Sequence, residues 1–286
     1  MHRVNLKKLL TLRMFKFIKS KINRFVLIHM WRRYKISKPY VRNTLLGIIK
    51  WLPLKTESDN FYYDLTEENI STLATTLSIV TKQPYSTIAM YLDEIISNEN
   101  LHNNISSYFL EDPKMADAKI AFGRRIGWYA LVRCIKPKIV LETGVHHGVG
   151  ASIIVEALIK NSNEGDIGYY LGTDHDLNAG ILFNKFYSKF GKIYYGDSLE
   201  SIEKMQYEID LFINDSDHSK EYEASEYEAV RSKLSSNAIV LGDNAHVTSA
   251  LLEFSIKSGR NFLFFKEQPK NHWYPGGGIG ISYLSS

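Results

Sequence analysis

From Lys138 onward, short apolar runs alternate with helix-length segments, and this pattern constrains the fold of the 286-residue chain more than any other feature. The runs are Ile139–Leu141, Gly168–Leu171, Ile193–Tyr195, Leu211–Ile213, Ala238–Leu241, Phe262–Phe265 and Ile279–Tyr283. Amphipathic stretches at 149–161, 177–190, 198–207, 219–234 and 246–259 lie between the first six. A strand, a helix and another strand in succession build a parallel sheet with helices on its faces. The last two runs are joined by a short link containing Pro275-Gly276-Gly277-Gly278. No helical crossover fits there, so the last pair is expected to be antiparallel. The expected class is α/β: a seven-stranded, mostly parallel sheet with a reversed last strand, preceded by a helical N-terminal region.

Charge divides the chain differently. Residues 1–56 hold 15 Lys or Arg and no Asp or Glu, which leaves 20 basic and 31 acidic residues in the remainder. The net charge of +4 therefore comes from the N-terminus, and the basicity of the whole chain is no argument for nucleic acid. Residues 1–34 read as a basic amphipathic helix, with Leu6, Leu10, Met14, Phe17, Phe25 and Ile28 among lysines and arginines. Such a helix suits an anionic membrane surface, or packs on its own domain or a second copy. Pro39 and Pro53 punctuate the stretch between this helix and the first acid, Glu57. Residues 64–111 and 116–135 read as helices flanking the core. The expected parts are 1–56, 57–136 and 137–286. No apolar stretch reaches the roughly 18–20 residues of a spanning helix, and none is followed by a secretory cleavage pattern. With Cys134 as its one cysteine, the chain makes no internal disulfide, and a reducing, cytoplasmic setting fits, with peripheral membrane attachment as an option.

Polar clusters follow five of the apolar runs, at the strand ends where such sheets bind ligands. Glu142-Thr143-Gly144-Val145-His146-His147-Gly148-Val149-Gly150-Ala151-Ser152 joins a strand to a helix, and its glycines let backbone approach a ligand. In Thr173-Asp174-His175-Asp176, Asp174 is placed to accept from both hydroxyls of a ribose, with Asp176 as the alternative or as a helix cap. Asp197 follows the third run and reads as a cap for the next helix. Asp215-Ser216-Asp217-His218 and Asp243-Asn244 close the fourth and fifth. Asp215, Asp243 and Asn244 together make a hard, all-oxygen set suited to Mg²⁺ or a similar divalent cation. The bland alternative is a series of strand-end caps and turns.

These motifs resemble the class I S-adenosylmethionine methyltransferases, whose Rossmann-like fold has six parallel strands and a reversed seventh. Asp215-x-Asp217 followed by Asp243-Asn244 is similar to the cation-dependent O-methyltransferases of the catechol and caffeoyl-coenzyme A type. The form Asp215-Ser216-Asp217-His218-Ser219 with Glu221-Tyr222 is closer to the branch grouped with rhamnosyl O-methyltransferases and cephalosporin-biosynthesis proteins. The resemblance covers about residues 120–286. It implies S-adenosylmethionine held by Glu142, Gly144, Gly148, Ser152, Asp174, Asp197 and Asp215, and a metal held by Asp215, Asp243 and Asn244. His146, His147 and His246 match no family ligand.

The implied reaction is methyl transfer to a hydroxyl of a small molecule or glycan, with His218 as base; the alternative for His218 is a helix cap. His272, Trp273 and Tyr274 wall the acceptor pocket or pack as an aromatic cluster. Cys134 reads as a core residue. Nucleic-acid bases are disfavoured as acceptors because Asn214-Asp215-Ser216 replaces the Asn/Asp-Pro-Pro-aromatic run of amino-directed enzymes. The glycine spacing disfavours a dehydrogenase. A non-catalytic assembly or membrane-surface module, and a metal enzyme of another reaction, are the remaining alternatives. A homo-oligomer is compatible with the basic arm.

Overall fold

The structure is a computed structural model that describes residues 24–54, 57, 59–109, 120–183 and 185–285. The chain divides into two units, Met1–Leu54 and Lys55–Ser286.

In the first unit, helix α1 spans Arg24–Trp51. The sequence led to a helix over 1–34 and a break near Pro39; residues 1–23 of that helix lie outside the described residues. In the described part the helix continues through Pro39. Proline removes one helical hydrogen bond. Lys35, which loses that bond, is exposed, so water can satisfy its carbonyl.

The second unit begins with α2 (Glu67–Thr81), α3 (Tyr85–Ile96) and α4 (Glu99–Tyr108). Thr66 starts α2 by accepting from the Asn69 N–H, and Glu67 and Glu68 favour its positive end. Asn98 caps α4 in the same way through the Leu101 N–H. Helix α5 (Ile126–Ile135) follows a single 3₁₀ turn, Gly123–Arg125, and ends at Lys136 in the left-handed conformation just before Pro137. The helix expected over 116–135 is thus shorter at its start; residues 116–119 lie outside the described set. Leu73, Leu77, Ile88, Leu92, Ile95, Trp128 and Leu131 are buried in one cluster that continues into the sheet through Val140 and Leu211 and onto a covering helix through Ile153.

The sheet has seven strands: β1 (Ile139–Thr143), β2 (Tyr169–Asp174), β3 (Gly191–Tyr195), β4 (Ile209–Asn214), β5 (Leu234–Asp243), β6 (Asn261–Lys266) and β7 (Gly278–Tyr283). Their order is β3-β2-β1-β4-β5-β7-β6. Strands β1 to β5 pair in parallel, and β7 runs antiparallel to both β5 and β6, as the short final link requires. Helices α6 (Val149–Asn163), α7 (Ser198–Lys204), α8 (Lys220–Arg231) and α9 (Ala250–Lys257) occupy four of the crossovers.

The crossover at 177–190 departs from expectation. Among its described residues it is a run of turns with one 3₁₀ turn, Tyr187–Lys189, rather than a helix. Asp176 accepts from the backbone and side-chain amides of Asn178, and Gly180 has φ +76°. The Gly180 and Leu182 N–H groups then donate to the carbonyls of His146 and His147. Backbone groups that a helix would pair internally are thus tied to the loop after β1. The Asp, Asn and Gly of this stretch carried that signal, since these residues favour turns.

Candidate active site

Reversal of strand order between β1 and β4 opens a crevice at the carboxyl ends of the strands. A cavity of about 1060 Å³ lies there, lined by residues following β1, β2, β3, β4 and β5. It is at the upper end of the size usual for ligand sites, so two small reactants fit side by side. Of the residues expected from sequence, Gly144, Asp174, Asp197, Asp215, His218, Asp243 and Asn244 line it.

Gly144 shows why the first loop needs its glycine. It has φ +83°, and a Cβ there would collide with the carbonyl of Asp215. The loops after β1 and β4 therefore touch backbone to backbone, which the Asp215 N–H to Thr143 carbonyl bond at 2.9 Å reinforces. Asp174 closes β2. Its carboxylate accepts from the N–H of His146 at 2.8 Å and of Asp176 at 2.9 Å. A carboxylate has about four acceptor positions, so two stay available for hydroxyls. Asp197 serves as helix cap as well as cavity wall: it accepts from the Glu200 N–H and from the Tyr222 hydroxyl.

Glu142, Gly148 and Ser152 do not line the cavity. Gly148, at φ +90°, caps α6, and the Ser152 hydroxyl donates back to its carbonyl. Glu142 is buried and accepts from the Tyr170 hydroxyl at 2.5 Å. A Cβ on Gly150 would strike Glu142 and Trp128, so that glycine serves the packing of α6. Burial pushes the Glu142 carboxyl up to about 8, although the Tyr170 hydroxyl works the other way. Folding therefore favours the protonated acid. Its contribution to stability is fully present below the unfolded value near 4.5 and is lost as pH rises through about 8. We expect Glu142→Gln to gain in urea midpoint relative to the wild-type chain as pH goes from about 6 to 9. A difference that does not change with pH would show that Glu142 is already charged when folded.

The acidic end of the cavity is built on β4 and β5. Asp215, His218 and Asp243 each offer a ligand atom, all within 4.8 Å of one another. Arg124, from the turn before α5, forks onto Asp243 through Nε and Nη2, and its Nη1 reaches Glu267 at 2.9 Å. Burial opposes charge on Asp243, and the Arg124 guanidinium outweighs it and holds Asp243 below the usual carboxylate range. Asp215 is driven the opposite way, first by burial and then by the Asp243 charge. Two carboxyl groups in contact share a proton unless another cation arrives. Asn244 sits beside them at φ +53°, and its Oδ1 is buried without a hydrogen-bond partner among the described residues. Two carboxylates, an imidazole and an orphaned amide oxygen fit a divalent ion.

His218 does not cap α8. That position is Ser219, whose N–H donates to Asp217. The His218 Nδ1 lies 3.3 Å from Glu223 and its Nε2 lies 3.8 Å from Asp215. The Glu223 contact raises the imidazole above its ordinary value despite burial.

Several lining residues were not singled out from sequence. Arg124 and Arg125 come from the turn before α5, and Asn60 and Phe61 from the segment before α2. Phe61 stacks on His146 at 5.7 Å, and the Tyr62 hydroxyl meets His147 at 3.1 Å. His146 and His147 thus line the cavity, whereas His246 does not. Of the aromatic triplet, Tyr274 lines the cavity while His272 packs on Tyr63. Beneath the floor, buried Glu226 accepts from Ser198, Ser216, Asn214 and Thr143, tying the ends of β1, β3 and β4 together. The legible signal was an acid at positions 223 and 226, on the same face of α8 as Tyr227 and Val230. Cys134 is part-buried, and burial pushes its thiol up to about 12, consistent with a packing residue.

Residues 141–245 match a family described as a methyltransferase domain. No curated protein matches the chain. Among solved structures, the cofactor-bound Rv0187 from MTB is 13% identical with a TM-score of 0.53, covering 66% of this chain and 90% of its own. A putative caffeoyl-CoA O-methyltransferase from Staphylococcus aureus is 15% identical with a TM-score of 0.48, covering 65% and 97%. The O-methyltransferase TomG from Streptomyces achromogenes, in complex with SAM, is 11% identical with a TM-score of 0.47, covering 78% and 100%. The likeness to Rv0187 is one of fold: a seven-stranded Rossmann-like sheet with its last strand reversed.

Proposed function

We propose that the chain is an S-adenosylmethionine-dependent O-methyltransferase acting on a hydroxyl of a small molecule or glycan. The observation that carries this is the single cavity wall formed by Gly144, Asp174, Asp197 and Asp215 within a methyltransferase domain. In this reading Asp174 takes the ribose hydroxyls, Asp197 and Tyr222 border the adenine, and the Gly144 turn curves around the methionine part. The acceptor occupies the other end, between Phe61, Arg125, Tyr274 and the Asp215–Asp243 pair.

Transfer forms a bond between acceptor oxygen and methyl carbon while the carbon–sulfur bond breaks, and the hydroxyl proton must leave. His218 takes it in this reading: Glu223 holds Nδ1, and Nε2, with the Asn244 amide nitrogen 3.3 Å away, is on the side of Asp215. Aligning the reactants supplies up to about 7–11 kcal/mol in favourable cases. Asp215, Asp243 and Asn244, with His218 beside them, would hold a divalent ion. Such an ion, when bound, lowers the pKa of an adjacent hydroxyl.

Two titrations test the two parts, the first of them calorimetric. S-adenosylmethionine and S-adenosylhomocysteine are expected to bind in the micromolar range. Mn²⁺, followed by its paramagnetic resonance signal, is expected to bind wild type and not Asp215→Asn/Asp243→Asn. A folded chain that takes neither cofactor form would overturn the reading; cofactor binding without Mn²⁺ binding would remove only the metal.

A further inference from the structure

We propose that α1 is a surface-binding helix that lies along an anionic lipid bilayer. It contains seven Lys or Arg and no acid, within a 56-residue segment that has no acid at all. Its charge is therefore complementary to a negatively charged leaflet, each basic residue near such a surface contributing about 1 kcal/mol.

The helix also carries a continuous apolar sector, with exposed Ile28, Ile36 and Leu46 outside it. At about 100° per residue, Val26, Leu27, Met30, Tyr34, Val41 and Leu45 fall in one sector roughly 100° wide. All six side chains are exposed. Basic residues border this sector on both sides, with Arg33 at one edge and Lys38, Arg42 and Lys35 at the other. The Lys35 ammonium lies 4.2 Å from the centre of the Trp31 ring, and Lys38 lies 5.8 Å from that of Tyr34. Lysines that run past aromatic rings in this way place their charge at headgroup level while the rings enter the acyl boundary.

No described helix is long and apolar enough to cross a membrane. Its basic residues recur from Arg32 to Lys50, so the helix suits the interface and not the interior. The same apolar sector contains Leu27, Tyr34, Val41 and Ile48 at seven-residue spacing, which a second copy of the chain would use as a coiled-coil seam. A dimer seam gains nothing from seven like charges on each partner, whereas a lipid surface does. That difference decides for the bilayer.

The test is co-sedimentation of the full chain with vesicles containing about 30% phosphatidylglycerol, and with vesicles of phosphatidylcholine alone. Binding is expected only to the first, and is expected to weaken near 0.5 M salt, where screening shortens to about 4 Å. Lys35→Glu/Lys38→Glu/Arg42→Glu is expected to bind at least about 100-fold more weakly. Trp31→Ser/Tyr34→Ser is expected to weaken binding at high and low salt alike. Unchanged thermal unfolding in these variants shows that the rest of the chain is folded. Equal binding to both vesicle types, unchanged binding by the charge-reversed variant, or a dimer in light scattering that the aromatic substitutions dissolve would each overturn the proposal.

Discussion

Asp174→Ala is expected to weaken binding of S-adenosylhomocysteine at least about 100-fold. Two hydrogen bonds to a charged acceptor are lost, each worth roughly 1.5–3 kcal/mol, and about 1.4 kcal/mol corresponds to tenfold. The structure adds a second component. The same carboxylate accepts from the His146 and Asp176 N–H groups, so it also fixes the turn after β1. Asp174→Asn is the milder change, because an amide keeps one acceptor oxygen and a similar shape. It is expected to bind about tenfold more weakly than wild type and to unfold at a somewhat lower temperature, since one oxygen keeps only one of the two turn bonds. Asp176→Ala serves as the contrast. Asp176 also lines the cavity, but it is exposed and spends its Oδ1 on two donors from Asn178, so a change below about threefold is expected. Should Asp176→Ala cost more than Asp174→Ala, the ribose contact belongs to Asp176.

That contrast bears on what could be read from residues alone. Strands were legible because apolar runs of three to five residues, separated by helix-length spacers, have few other solutions. The reversed β7 was legible because a link holding Pro275 and three glycines leaves no length for a crossover. Chemistry at the ends of β1 to β5 was legible for the same topological reason: a polar residue just after a parallel strand falls at the crevice. Residues outside that rule stayed hidden. Arg124 and Asn60 reach the cavity from segments far from it in sequence, and their contacts with the sheet depend on tertiary packing. Thr66 and Lys270 donate backbone N–H groups to Gln268 and Asp64, which pins the start of α2 to the loop after β6. No local pattern announces such a contact. Glu142 lies off the cavity for a related reason. Position in a motif suggested a ligand, whereas burial against Tyr170 and Gly150 is decided by the packing of α6.

Arg124→Met is expected to lower folding stability by about 3–5 kcal/mol, measured by urea unfolding at neutral pH, because it strips a fully buried set of acids of its cation. The Asp243 and Glu267 side chains have no solvent exposure, and Arg124 is 7% exposed. The guanidinium joins three separate parts of the chain: Asp243 at the end of β5, Glu267 after β6, and Tyr63 before α2, whose hydroxyl also donates to Glu267 at 2.5 Å. Methionine fills similar volume, so the loss reports charge and hydrogen bonding in preference to a cavity. Arg124→Lys tests the geometry. Lysine keeps the charge but cannot present a fork to two carboxylates, and an intermediate loss of about 1–3 kcal/mol is expected. Adding Asp243→Asn to Arg124→Met removes one of the stranded charges, so the double variant is expected to be more stable than the sum of the single effects by at least about 1 kcal/mol. Additive losses would mean that Arg124 and Asp243 do not interact in solution. A loss below about 1 kcal/mol for Arg124→Met would mean that water reaches the pair.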